Sequence, residues 1–156
     1  MSVRSTDSGV SHASRARTGA CEVHGAQDIA RADVSPLTVL VVDDHADAAE
    51  GVGALLSATG HRVRVAYDAR QALEIFRAFH PQVVFMDLDM PEMTGLEAAA
   101  RIRLMHGGTA CAIIALTGWG SDAHRRLSRD ASIDYHVVKP ASAEKLQGIL
   151  RRVHAA

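Results

Sequence analysis

The chain has 156 residues, 47% of them hydrophobic and 22% charged, with 17 basic against 18 acidic side chains and a net charge of −1. These values exclude wholesale disorder, an array of large domains, and a strongly basic footprint for nucleic acid or anionic lipid. No run approaches the roughly 20 apolar residues of a membrane helix, and Cys21 and Cys111 are spaced for neither a zinc nor a redox motif.

Residues 1–35 read as a flexible leader. They hold no Phe, Tyr, Trp or Leu, and Arg4, Arg15, Arg17 and Arg31 are balanced by Asp7, Glu22, Asp28 and Asp33. A segment with so little to bury cannot offset its folding entropy. No apolar stretch of signal-peptide length is present, so the expected location is the cytoplasm, without membrane contact. Residues 36–156 form the expected domain.

From Pro36 the pattern alternates. Leu37–Val42 is a near-continuous β-branched and aliphatic run, as in a strand buried on both faces. Ala46–Ala58 spaces Ala49, Val52, Leu55 and Leu56 as one helical face and ends near Gly60. Arg62–Ala66 alternates polar with apolar, which suits a strand near the sheet edge. Asp68 can cap a helix through Phe79 that stops before Pro81. Val83–Met86 is a third strand, and Thr94 can cap a helix reaching about Met105, ahead of Gly107 and Gly108. Ala112–Leu116 is a fourth strand, a looser helix is expected between Ser121 and about Ala131, and Tyr135–Val138 is a fifth strand. Ser142 opens a last helix with Leu146, Ile149, Leu150 and Val153 as its stripe. The whole reads as an α/β domain with a parallel sheet and helices on both faces.

In such a sheet ligands gather outside the carboxyl ends of the strands. Asp43 and Asp44 follow the first strand, Asp87 and Asp89 the third, Thr117 the fourth, and Lys139 with Pro140 the fifth. Any one aspartate could merely cap the next helix. Polar groups at four of five strand ends, including one of the chain's two lysines, point instead to one converging site. Crowded carboxylates call for a hard cation such as Mg²⁺. With it in place, a carboxylate can attack phosphorus while Lys139 and Thr117 hold the phosphoryl oxygens. Asp-Asp-His-Ala-Asp replaces any glycine-rich phosphate loop after the first strand, which disfavours nucleotide binding of that kind.

The motifs VLVVDD (39–44), VVFMDLDMPEMTGLEA (83–98), ALTG (115–118) and VVKP (137–140) resemble the receiver domain of two-component response regulators, over about residues 37–154. The resemblance implies a flavodoxin-like, doubly wound sheet of order 2-1-3-4-5. It implies that Asp87 accepts a phosphoryl group from a sensor histidine kinase or phosphotransfer protein. It further implies that Asp44 ligates Mg²⁺, Asp43 holds it through water, and the Asp89 carbonyl completes the protein ligands. Lys139 would pair with Asp87 and then with the phosphoryl group, toward which Thr117 would move. A downstream protein would read the result, since no DNA-binding or catalytic output domain fits in this chain. The sequence departs from the family pattern at Thr94, Gly118 and His136, the last standing where Tyr or Phe usually acts as an aromatic switch. Two other readings compete: a Mg²⁺-dependent phosphohydrolase using Asp87-Leu88-Asp89 through an aspartyl phosphate, and a receiver-like module that binds a partner without phosphorylation.

Overall fold

The computed structural model describes residues 35–118 and 133–156. The expected leader up to residue 34 and the expected helix at 121–131 lie outside the described residues.

Five parallel strands form one sheet in the order β2-β1-β3-β4-β5: β1 Thr38–Val42, β2 Arg62–Ala66, β3 Val83–Asp87, β4 Ala112–Thr117 and β5 Tyr135–Val138. The described helices are α1 Ala46–Ala58, α2 Ala69–Phe79, α3 Gly95–Arg103 and α4 Ala143–Ala155. The fold is thus the doubly wound α/β sheet expected, with order 2-1-3-4-5.

The central strands are apolar between their ends because both faces are covered. Leu40 and Val42 face a core shared with Ala72 and Phe76 of α2 and Ala99 and Ile102 of α3. Their neighbours Val39 and Val41 face the other way, against Leu56 of α1 and Leu146 and Leu150 of α4. The alternating strand β2 lies at one edge, where Arg62 and Arg64 are left outside. Both guanidiniums stack near Phe79, at 5.9 and 5.5 Å from the ring centre.

Local signals set most helix starts. Asp68 accepts the Gln71 N–H, Ser142 accepts the Lys145 N–H, and Thr94 with Glu97 closes a reciprocal capping box. Helix α3 stops at Arg103, short of the expected Met105. Leu104 N–H and Met105 N–H close tight bonds to Arg101 and Ile102, and the Arg103 guanidinium reaches forward to the carbonyls of Gly108 and Cys111. Gly108 is required there, because a Cβ would strike the Ile102 carbonyl.

Candidate functional site

Strands β1 and β3 are neighbours, while α1 carries the chain from β1 to β2 on the far side. Strand order reverses at that point and leaves a crevice at the carboxyl ends. Val42 of β1 pairs with Met86 of β3, so Asp43, Asp44 and Asp87 emerge side by side. None of the three is a helix cap: α1 has His45 as its N-cap, without a side-chain bond. The capping explanation for this cluster therefore fails.

Asp43 and Asp87 are buried, at 2% and 3% exposure, and Thr117 is buried with them. Lys139 follows β5 across a cis bond to Pro140 and reaches back over the crevice. Its Nζ donates to Asp43 Oδ2 at 2.7 Å and lies 3.5 Å from Asp87 Oδ1. The pairing with Asp87 that the resemblance implies is present, but the shorter contact is to Asp43. Asp43 Oδ1 accepts the His45 N–H at 2.9 Å, and Asp87 Oδ1 accepts the Asp89 N–H at 3.2 Å.

These contacts divide the carboxylates. Burial works against ionised Asp43, but the Lys139 hydrogen bond, the His45 N–H and the lysine charge outweigh it, and its pKa falls below the ordinary value. Burial pushes Asp87 up to about 6, with Lys139 opposing and the Asp43 charge adding to the rise. Burial disfavours the Lys139 cation too, yet the Asp43 hydrogen bond and the two carboxylate charges raise its pKa overall. Among the described residues one lysine cannot neutralise three neighbouring carboxylates, so this set carries excess negative charge.

That excess fits a divalent cation. Ligand atoms of Asp43, Asp44, His45 and Asp87 lie within 4.8 Å of one another. Asp44 Oδ1 is shielded from solvent yet has no hydrogen-bond partner, which leaves an acceptor for an ion. The carboxylates are hard oxygen donors, the set that suits Mg²⁺. The Asp89 side chain is exposed and outside the cluster; its main chain is what meets Asp87. A hydrolase's second carboxylate, two residues after the nucleophile, is therefore not among the clustered carboxylates.

Thr117 ends β4 and turns its hydroxyl toward the Val137 carbonyl at 3.5 Å, while its own carbonyl accepts the Lys139 N–H at 2.7 Å. His136, one step back on β5, sits opposite Ala115 and is half-buried. It lines a cavity of about 390 Å³ with Lys145, Gly148, Ile149 and Arg152 of α4.

Two residues that shape the crevice are absent from the residues picked out by sequence. A Cβ on Gly95 would collide with the Asp87 carbonyl, so only glycine lets the β3–α3 turn close there. His45 is the other. Its position directly after the aspartate pair was the available signal.

Comparison with known proteins gives consistent likenesses. A family model described as the response regulator receiver domain matches residues 39–151. Response regulator MprA of Mycolicibacterium vanbaalenii is 34% identical over 116 residues, covering 74% of this chain and 49% of MprA. The chain thus spans about half the length of the curated relatives it matches. Among solved structures, Vibrio cholerae chemotaxis protein CheY4 superposes with a TM-score of 0.73 at 29% identity, covering 76% of this chain and 99% of CheY4. The receiver domain of sensor histidine kinase PA1611 from Pseudomonas aeruginosa gives 0.72 at 27% identity, covering 78% and 100%; a magnesium ion is coordinated in its active-site cleft.

Proposed function

The chain belongs to the response regulator receiver family of signalling proteins, and from that premise we propose that Asp87 is its phosphoacceptor, served by Mg²⁺ held among Asp43, Asp44, Asp87 and the Asp89 carbonyl. The observation that carries the proposal is the convergence of Asp87, two further aspartates and Lys139 in one crevice at the switch point of the sheet.

The bound cation supplies positive charge that lowers the repulsion between these carboxylates and an incoming phosphoryl group. Asp87 must be ionised to attack phosphorus, and Lys139 favours that form by opposing the effect of burial. One carboxylate oxygen forms the new P–O bond as the donor's P–N or P–O bond breaks. Lys139 then faces the transferred oxygens, and the Thr117 hydroxyl leaves the Val137 carbonyl to bond one of them. Movement of Thr117 frees space beside β5, where His136 lies, and so links the crevice to the surface of β5 and α4.

The same reading extends to the chain's surroundings. A sensor histidine kinase or phosphotransfer protein is the donor, a downstream protein reads the modified surface, residues 36–156 are the working domain, and the cytoplasm is its location. No helix among the described residues is long and apolar enough to cross a membrane.

The direct test is incubation with Mg²⁺ and acetyl phosphate, followed by intact-mass measurement. One added phosphoryl group is expected on the wild type and none on Asp87→Asn. Equal labelling of both proteins would refute the assignment. Hydrolysis of many equivalents of a small phosphate ester would favour the hydrolase reading.

A further inference from the structure

Helices α2, α3 and α4 open on Asp68, Thr94 and Ser142, each accepting a main-chain N–H from the first turn. Helix α1 opens on His45, whose side chain makes no capping bond. The imidazole is turned to the crevice instead. Its Nδ1 lies 3.3 Å from Asp44 Oδ1 and 3.5 Å from Asp43 Oδ1. Adjacent ligands on an ion at roughly 2.1 Å stand roughly 3 Å apart, so small movements would bring all of them onto one ion. The ring is 77% exposed, which leaves it room to make them.

We propose that His45 is a nitrogen ligand of the cation site, and that it shifts the site's preference from Mg²⁺ toward first-row transition-metal dications. The inference rests on the crevice being a metal site. Carboxylate and water oxygens suit Mg²⁺, whereas neutral imidazole adds little for that ion and much for Co²⁺, Ni²⁺ or Zn²⁺. A set of carboxylate oxygens with one imidazole nitrogen at the mouth is therefore a mixed donor set. The attraction of a protonated His45 for the two aspartates could draw the ring to the same place. The two roles separate on metal binding: a cationic His45 opposes every dication alike, and a ligand discriminates among them.

The experiment is calorimetric titration of the full chain with Mg²⁺ and, separately, Co²⁺, for wild type, His45→Ala and His45→Asn. His45→Asn supplies a capping side chain, so a loss shared by both variants is not a helix-start defect. Both should bind Co²⁺ about tenfold or more weakly while changing Mg²⁺ affinity by less than about twofold. Proton NMR of the Co²⁺-loaded wild type should show a far-shifted, non-exchangeable imidazole C–H resonance that both variants lack. Equal changes for the two ions, or the absence of that resonance, would overturn the assignment of His45 while leaving the crevice a Mg²⁺ site. Failure of wild type to bind either ion would instead remove the metal site itself.

Discussion

The two ends of the sheet handle their polar groups in opposite ways. At the amino ends of the strands, polar groups are matched. Arg103 donates to Asp134 at 2.7 Å as well as to the Gly108 and Cys111 carbonyls, and the same Asp134 carboxylate accepts the Ile113 N–H at 2.8 Å. His61 Nδ1 accepts the Leu37 N–H at 3.2 Å, and Gln82 joins β1 to β3 through Thr38. At the carboxyl ends Asp43 and Asp87 share one lysine, and Asp44 Oδ1 beside them has no hydrogen-bond partner. A satisfied network rigidifies the fold; a charge-rich, under-satisfied one is held in place by it and left ready for a ligand. The difference marks which end supports the fold and which carries its chemistry.

The comparison breaks most sharply at two glycines. Gly95→Ala would press on the Asp87 carbonyl and Gly108→Ala on the Ile102 carbonyl. Each should cost about 3 kcal/mol, near the upper end for overpacking, measured by urea denaturation. Of the molecules that remain folded, those with Gly108→Ala should accept phosphate from acetyl phosphate at the wild-type rate. Those with Gly95→Ala should not, because the Asp87 main chain is displaced. Equal phosphorylation of both variants would dissolve the division between the ends.

Asp134→Ala comes next. It takes one carboxylate partner from the Arg103 cation and the acceptor from the Ile113 N–H, for a loss of about 2 kcal/mol, with phosphorylation of the folded protein unchanged. Asp87→Asn, at the other end, should do the reverse. Burial makes ionised Asp87 unfavourable at neutral pH, so with metal chelated the variant should be more stable by on the order of 1 kcal/mol. A destabilised Asp87→Asn would mean that the carboxylates hold the fold together.

The smallest effect is a pH dependence at the amino end. Burial holds the His61 pKa below its ordinary 6.5, and the bond from Leu37 requires a neutral Nδ1. Its folded-state pKa lies below the unfolded one. The stability contributed by His61 is therefore fully present above about 6.5 and is lost as pH falls through the folded value. His61→Gln should flatten that acid-side slope in denaturation curves measured between pH 5 and 7.5. An unchanged slope would place the titration elsewhere.

Much of this was legible in the chain itself. Unbroken apolar runs at 39–42 and 83–86 read as strands covered on both faces, and turn and capping chemistry at Asp68, Thr94 and Ser142 is local enough to read directly. The aspartates, Thr117 and Lys139 were legible because strand ends in a parallel sheet face one rim, whatever the details of packing. Contacts between residues far apart were not. That Lys139 bonds Asp43 more closely than Asp87 depends on how β5 lies beside β4, 96 positions along the chain from Asp43. The Arg103–Asp134 pair and His61 beneath Leu37 depend likewise on distances between elements. Periodicity and propensity act over a few residues, so they select elements and the rim on which the side chains emerge. Which charge finds which partner, and which is left without one, is decided only when the packed core sets those elements at fixed separations.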